Sequence, residues 1–301
     1  MTQTRVGFIG LGNMGGRMTT CLVKGGYDVL GYDTNSSAAS ACGATAASSA
    51  GAVVDCCDVI LLSLPDSHVI EAVVLGADGV LAHVHSGQVV VDLSTAAPAS
   101  TRRIATLVAG EGAEYLDAGI SGGAAAAESG TLTLMVGGST TALELVRPIL
   151  DAFSSNIFYM GESGAGHATK LINNFLNAVS LAATAEVMVA GKKAGLDLAL
   201  LLEVVNKSSG VNFATLNRFP KIIKGDYLKG GLTNALMMKD VVLYSEMASE
   251  LGVSSVNGAG PLASFGLAMA LGYGDQISNS VVDALGDVSG GVRLHDAKEG
   301  Q

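Results

Sequence analysis

The chain has 301 residues, 49% of them hydrophobic and 15% charged, which is enough for a sizeable core and comfortable for two domains. A net charge of −10 repels a phosphate backbone, and with 5% aromatics and no tryptophan the chain is poor in stacking surfaces, so nucleic acid is not an expected partner. The four cysteines, Cys21, Cys42, Cys56 and Cys57, make neither a paired framework nor a metal-knuckle spacing, and a reduced, cytoplasmic setting is expected.

The opening stretch is apolar only over Val6–Leu11, so no signal peptide is expected. From there short runs rich in Val, Ile and Leu alternate with helical stretches. The runs are Val6–Ile9, Tyr27–Tyr32, Val59–Leu64, Val89–Leu93, Tyr115–Leu116 and Leu132–Val136; helical patches such as Met14–Lys24, Ser67–Val74 and Ser100–Val108 lie between them. Continuous apolar strands separated by helices predict an α/β domain with a doubly wound, mostly parallel sheet. No convincing strand follows Tyr159. One long helix is predicted over 164–193, ended by Gly195, with further helical spacing in Ala199–Asn206, Ala235–Leu251, Gly260–Leu271 and Ser278–Val288. The expected division is therefore 1–162 for the sheet domain and 163–301 for an all-α domain. The uncharged run Leu251–Gly274 is long enough to span a bilayer, but six glycines and Pro261 interrupt it. It reads as a buried helix of a globular domain, with no membrane partner.

Gly10-Leu11-Gly12-Asn13-Met14-Gly15 follows the first strand and opens a helix, and the second strand ends in Asp33. That context gives the glycines work. Gly10 permits the tight turn, Gly12 lets backbone approach a pyrophosphate, and Gly15 lets helix and strand pack closely. Free amides and the positive helix end then face the phosphates. This is the dinucleotide-binding arrangement of the Rossmann type. Asp33 is placed to accept hydrogen bonds from a ribose and to repel a 2′-phosphate, and no arginine follows in Thr34-Asn35-Ser36, which favours NAD over NADP. A plain strand-end cap is the alternative for Asp33. Ser63-Leu64-Pro65-Asp66 falls at the same carboxyl edge of the sheet, so Leu64 and Pro65 join the cofactor side. A generic turn fits those four residues nearly as well.

With these residues, Asp92-Leu93-Ser94-Thr95, Asp117-Ala118-Gly119-Ile120-Ser121-Gly122-Gly123, the block from Gly164 to Asn174, and Lys239-Asp240 resemble the β-hydroxyacid dehydrogenase family in order and spacing, to about residue 290. The resemblance implies NAD-dependent interconversion of a small 3-hydroxy acid with its semialdehyde or keto acid. It implies that Lys170 is the catalytic lysine. Ser121, Gly122 and Gly123 would hold the substrate carboxylate, with Asn174 and Asp240 on the substrate side, and Thr95 and Lys239 would lie at the nicotinamide end. Two positions depart from the family pattern. Gly119 stands where proline is usual, and Leu232 where an aromatic is frequent; both border the substrate side.

The residues suit that chemistry. Oxidising an alcohol needs a hydride acceptor, supplied by NAD, and a base. On a long apolar helix, burial would lower the pKa of Lys170 from its reference of about 10.4 towards neutrality. Asn174, four residues on, faces the same way. An ordinary lysine snorkelling from a core helix is the bland alternative. Ser121-Gly122-Gly123 offers consecutive amides and a hydroxyl, a local anion site in an acidic protein, or else a simple glycine turn. Lys239-Asp240 also fits a surface ion pair. The five histidines suggest no metal site: His83 and His85 lack a nearby carboxylate cluster, and His167, one helical turn before Lys170, reads as structural, with lining the pocket as the alternative.

Three rival readings stand beside this one. Gly119-Ile120-Ser121-Gly122-Gly123 matches the G-x-S-x-G elbow of hydrolases, which needs neither the glycine loop nor Lys170. A catalytically silent NAD-binding sensor has no use for Lys170, and an imine reductase on the same scaffold typically lacks that lysine. The apolar helical domain is expected to bury surface in a homodimer or homotetramer.

Overall fold

In the computed structural model, which describes residues 4–228 and 230–295, the alternation of the first half becomes one eight-stranded sheet. Its strands are β1 (Val6–Ile9), β2 (Val29–Tyr32), β3 (Thr45–Ala46), β4 (Val59–Leu62), β5 (Val89–Asp92), β6 (Glu114–Ser121), β7 (Leu132–Gly137) and β8 (Ser154–Gly161). They lie in the order β3-β2-β1-β4-β5-β6-β7-β8. All neighbours are parallel except β6 and β7, whose antiparallel register sets Gly119 opposite Met135 and Ser121 opposite Thr133. The chain leaves β1 for β2 on one side and returns to β4 on the other. This reversal opens a crevice at the carboxyl ends of the strands, where ligands bind in open α/β sheets.

The intervening helices are α1 (Gly15–Lys24), α2 (Ala38–Ala41), α3 (Ala50–Cys56), α4 (Ser67–Leu75), α5 (Val80–His83), α6 (Pro98–Gly110), α7 (Gly123–Ser129) and α8 (Thr140–Leu150). Successive strand side chains point to opposite faces and so sort into two cores. Val6, Phe8, Val59, Leu61, Val89 and Val91 pack with Met18 and Leu22 of α1 and with Leu143 and Val146 of α8. Ile9, Ile60, Leu62 and Val90 pack with Val53 and Val54 of α3, Ile70 and Val74 of α4, and Ile104 and Val108 of α6. All four side chains of β4 are essentially solvent-free, and burying each contributes about 1.5–3 kcal/mol. That is why these strands read as unbroken apolar runs.

The second half is helical: α9 (Ala165–Lys193), α10 (Leu198–Asn206), α11 (Phe213–Asn217), α12 (Phe219–Ile222), α13 (Asn234–Glu250), α14 (Ala259–Ala270) and α15 (Val281–Val288), with two short 3₁₀ turns. Among the described residues no strand follows Gly161. The chain divides into two compact units at Lys170/Leu171, so the first turn of α9 belongs to the sheet unit and the rest to the helical one. The helical unit has its own core, in which Phe175, Leu181, Met188, Phe219, Met237 and Phe265 are buried. The buried Asn234 donates to the Tyr273 carbonyl at 2.8 Å and to Ser280 Oγ at 2.9 Å, tying α13 to the segment after α14.

Three readings of the sequence need correction. Strand β6 runs eight residues rather than the pair Tyr115–Leu116, and β8 extends the sheet by an edge strand that was not foreseen. Most of β8 is exposed, including Phe158, Tyr159 and Met160, although residues 157–160 form an apolar run of the kind that marks a strand. The run Leu251–Gly274 is not one buried helix: only Ala259–Ala270 is α-helical, and Leu251 and Val256 are exposed. Among the described residues no helix is long and apolar enough to cross a membrane.

Candidate active site

The glycine loop sits between β1 and α1 at the sheet's reversal. Gly10 has φ +89°, and a Cβ there would collide with the Ser63 carbonyl; one at Gly15 would collide with the Gly10 carbonyl. At Gly12 a Cβ would meet nothing within 4 Å, so this backbone faces open space. Leu11 is buried and Asn13 exposed, and Met14, the residue preceding α1, gives its helix no side-chain cap. No acid occupies the first turn of α1. By contrast Ser49 caps α3, Asp66 caps α4 and Ser139 caps α8. An uncapped helix end beside open glycine backbone suits a pyrophosphate.

Asp33 is half-buried at the end of β2. Its Oδ2 accepts from the Leu11 amide at 2.7 Å and its Oδ1 from the Asn35 amide at 2.8 Å. It caps the turn, as the plainer reading has it, and each oxygen keeps a lone pair open to a further donor such as a ribose hydroxyl. On the neighbouring turns the Leu64 amide donates to Ser94 Oγ at 2.9 Å, Pro65 is exposed and Thr95 is half-buried. These residues fit a bound dinucleotide. When present it supplies the hydride acceptor.

Further along the carboxyl edge, β6 leads through Ser121 into Gly122 (φ +126°) and Gly123 (φ +71°), both exposed. Such dihedrals are open to glycine and costly for other residues. Against this strand lies the first turn of α9. A Cβ built on Gly119 would stand only 2.5 Å from Lys170 Cβ and 3.1 Å from the Gly166 carbonyl, and one on Gly166 would collide with the Asp117 and Met135 carbonyls. Two glycines thus let helix and sheet touch backbone to backbone. Lys170 is half-buried, with its stem against Gly119. Ser121, two residues on, points to the same face of β6.

The start of α9 is fastened by a buried carboxylate. Asp117 accepts from the Gly164 amide at 2.7 Å and the His167 amide at 2.8 Å. His167 is fully buried, its Nδ1 2.8 Å from Thr101 Oγ1 and its Nε2 3.3 Å from the Asp92 carbonyl. The Tyr115 hydroxyl donates to Asp92 Oδ2 at 2.8 Å. Burial, and then the neighbouring Asp92 charge, push that phenol well above its ordinary pKa, so it stays a donor. Sequence reasoning gave Asp92 and Asp117 no role. Their one signal was an acid closing an apolar strand, as in VVVD and YLD.

In the helical unit Asn174 is buried on α9 and donates to Asp240 of α13 through a short hydrogen bond. Lys239 Nζ lies 3.0 Å from Asp240 Oδ1, an ion-pair contact without hydrogen-bond alignment. Phe175 stacks on Tyr244 at 3.8 Å between centroids, packing α9 on α13 beside the pair. Arg218 joins this unit to α9, donating to Asn177 Oδ1 at 3.0 Å and Asn279 Oδ1 at 2.8 Å; burial lowers its pKa.

One reading of the histidines is overturned: His83 stands 3.1 Å from Asp55 Oδ1 and 2.8 Å from Asp78 Oδ1, so carboxylates do flank it. Among the described residues no group of three or more His, Cys, Asp or Glu side chains is arranged to hold a metal.

Residues 5–161 match the model for the NAD binding domain of 6-phosphogluconate dehydrogenase, and residues 164–285 that for the NAD-binding region of NADP-dependent 3-hydroxyisobutyrate dehydrogenase. The chain belongs to the β-hydroxyacid dehydrogenase family. It is 40% identical to the NAD-dependent L-serine dehydrogenase of Pseudomonas aeruginosa, over 95% of this chain and 99% of that one. It is 36% identical to the 2-(hydroxymethyl)glutarate dehydrogenase of Eubacterium barkeri, over 95% and 96%. A solved structure of Mycobacterium tuberculosis 3-hydroxyisobutyrate dehydrogenase with L-serine superposes with a TM-score of 0.86 at 31% identity, covering 94% of this chain and 99% of that one. An imine reductase from Pseudomonas, at 20% identity and a TM-score of 0.59, shares the fold. As a β-hydroxyacid dehydrogenase, the protein is an oxidoreductase with NAD as its cofactor.

Proposed function

We propose that this enzyme oxidises a primary alcohol on the carbon β to a carboxylate, with Lys170 as acid/base and the Ser121–Gly123 loop holding the carboxylate. The observation that supports this most is the seating of Lys170 on Gly119, which fixes the lysine stem two residues from Ser121 on one face of β6. A carboxylate at the loop places its β-hydroxyl on the lysine's side of the strand. In oxidation neutral Nζ would take the hydroxyl proton, and a bound nicotinamide would supply the acceptor for the hydride of the carbinol carbon. In reduction the ammonium returns that proton to the forming alkoxide. L-serine, 3-hydroxyisobutyrate and 2-(hydroxymethyl)glutarate, named for the relatives, share a hydroxymethyl group and a carboxylate on one carbon and differ only in its third substituent. That common core defines the substrate class, and glycerate belongs to it.

Lys170→Ala is expected to lower kcat by roughly two to four decades while NAD affinity stays within a few-fold. Stopped-flow turnover with titrated NAD measures both, and wild-type turnover would remove the assignment. In the wild type kcat rises with pH through one ionisation, because the neutral amine is the base in oxidation, and that inflection disappears in the variant.

Asp33 carries the preference for NAD over NADP. Asp33→Ala is expected to weaken NAD and narrow the ratio of kcat/KM between the two cofactors; an unchanged ratio would assign the preference elsewhere. The exposed Leu176, Val187, Leu200 and Val204 of α9 and α10 support a dimer or tetramer, which light scattering reads directly. The four free thiols support a reducing, cytoplasmic location.

A further inference from the structure

The acid/base lysine accounts for the exposed end of the α9 first turn and leaves its buried side unexplained. One residue there is titratable, wholly buried and outside the mechanism: His167, a single helical turn before Lys170. Its bonds can be assigned. Nε2 faces two acceptors, the Asp92 carbonyl at 3.3 Å and Asp92 Oδ2 at 3.9 Å, so Nε2 carries the proton. Nδ1 then holds the lone pair and accepts from the Thr101 hydroxyl at 2.8 Å, the nearer of two acceptors for that proton, the Ala97 carbonyl lying at 3.2 Å. Both ring nitrogens are satisfied, one by β5 and one by α6.

The network continues towards the cofactor side. Asp92 Oδ1 accepts from the Ser94 amide at 3.0 Å, and Ser94 Oγ accepts from the Leu64 amide at 2.9 Å. Asp92 is therefore the common anchor of the 64–65 turn, of the 94–95 turn and, through His167, of the helix bearing Lys170.

We propose that His167 is a positioning residue for the reaction: through Asp92 it fixes Lys170 relative to the 64–65 and 94–95 turns on the cofactor side. This rests on the reading of Lys170 as acid/base. The first turn of α9, which carries Lys170 against the Gly119 backbone, is tied by His167 to β5 and α6. A misplacement of the order of 1 Å at a reacting group costs up to about 100-fold.

The test compares His167→Leu, which fills the space without polar arms, with His167→Gln, whose amide can donate to the Asp92 carbonyl and accept from Thr101. His167→Leu is expected to lower kcat roughly 10- to 100-fold with the Kd for NAD within a few-fold of wild type. The pH inflection of kcat should also move, because the lysine's surroundings change. His167→Gln should recover most of the turnover and the original inflection. Thr101→Val removes one arm only and should lower kcat roughly 3- to 10-fold, keeping the test decisive if His167→Leu fails to fold. Folded variants that lose thermal stability but keep wild-type kcat and pH profile would overturn the proposal and leave His167 a packing residue. Failure of the glutamine to rescue would overturn it too. Lys170→Ala, assayed in parallel, separates the two readings. If it turns over normally, the acid/base assignment falls and this proposal with it. If it is inactive while His167→Leu and Thr101→Val are unimpaired, only the present proposal falls.

Discussion

Two helices begin at the carboxyl edge of the same sheet and are finished in opposite ways. Helix α1 starts with no side-chain cap, no acid in its first turn and an open Gly12. Helix α9 starts on Asp117, a fully buried carboxylate that takes two of its amides. Every helix leaves its first amides without partners inside the helix. Where the chain supplies an internal acceptor, the end is part of the scaffold. Where it withholds one and clears the space with glycine, the end is left to something that arrives from solution. On the proposed function, the first end is the one that binds and the second the one that holds a reacting group still.

The largest expected effect comes from breaking the fastened end. Asp117→Ala leaves the Gly164 and His167 amides buried without acceptors, and the desolvation cost of each is about 1–3 kcal/mol. Denaturant unfolding should show a total loss of about 2–5 kcal/mol. NAD affinity per folded molecule should stay close to wild type, since α1 is untouched. A loss below the measurement error would mean that water or a rearranged loop replaces Asp117, and the contrast between the two ends would disappear.

The open end gives the converse result. Gly12→Ala adds a methyl where nothing stands within 4 Å, so stability should be unchanged or rise by up to about 1 kcal/mol. The same methyl occupies the path of the pyrophosphate, and NAD should bind roughly tenfold or more weakly. Calorimetric titration and thermal melts read the two effects separately. A Gly12→Ala protein that binds NAD normally would place the phosphates away from this loop.

The sequence made these two ends unequally legible. The α1 end was readable because its whole signature is local: an apolar strand, three spaced glycines and an acid at the end of the next strand, all within Val6–Asp33. The α9 end was not, because its bonds join residues far apart in the chain. Asp117 reaches Gly164 across 47 positions, and His167 reaches Asp92 across 75. No spacing rule reports such a pair. Lys170, Asn174 and the Ser121–Gly123 loop were found by resemblance, and their local patterns alone fitted a snorkelling lysine and a glycine turn. The parallel core was legible from runs such as Val59–Leu62, buried on both faces. Edge strand β8 was overlooked although residues 157–160 are apolar in a run, because its first three residues are polar and most of it is exposed.

A third carboxylate tie sharpens the comparison by being weak. His83 closes α5 and stands between Asp55 and Asp78, as Asp117 stands between two amides, but on the surface: the two acids expose 57% and 62% of their side chains. The hydrogen bond that His83 donates to Asp55, more than any other cause, raises the His83 pKa above its ordinary value, with Asp78 adding to it. A histidine whose pKa is higher folded than unfolded binds its proton more tightly in the native state. Its contribution is therefore complete below the unfolded value of about 6.5 and fades as pH rises through the folded one. The melting temperature of the wild type should exceed that of His83→Gln at pH 6, and the gap should close by pH 8. It should also narrow with added salt, because exposed pairs are screened. A gap that persists at pH 8 and high salt would mean His83 acts by packing rather than charge. The effect is expected to be the smallest of those above, because water competes for every partner of His83 and for none of Asp117's.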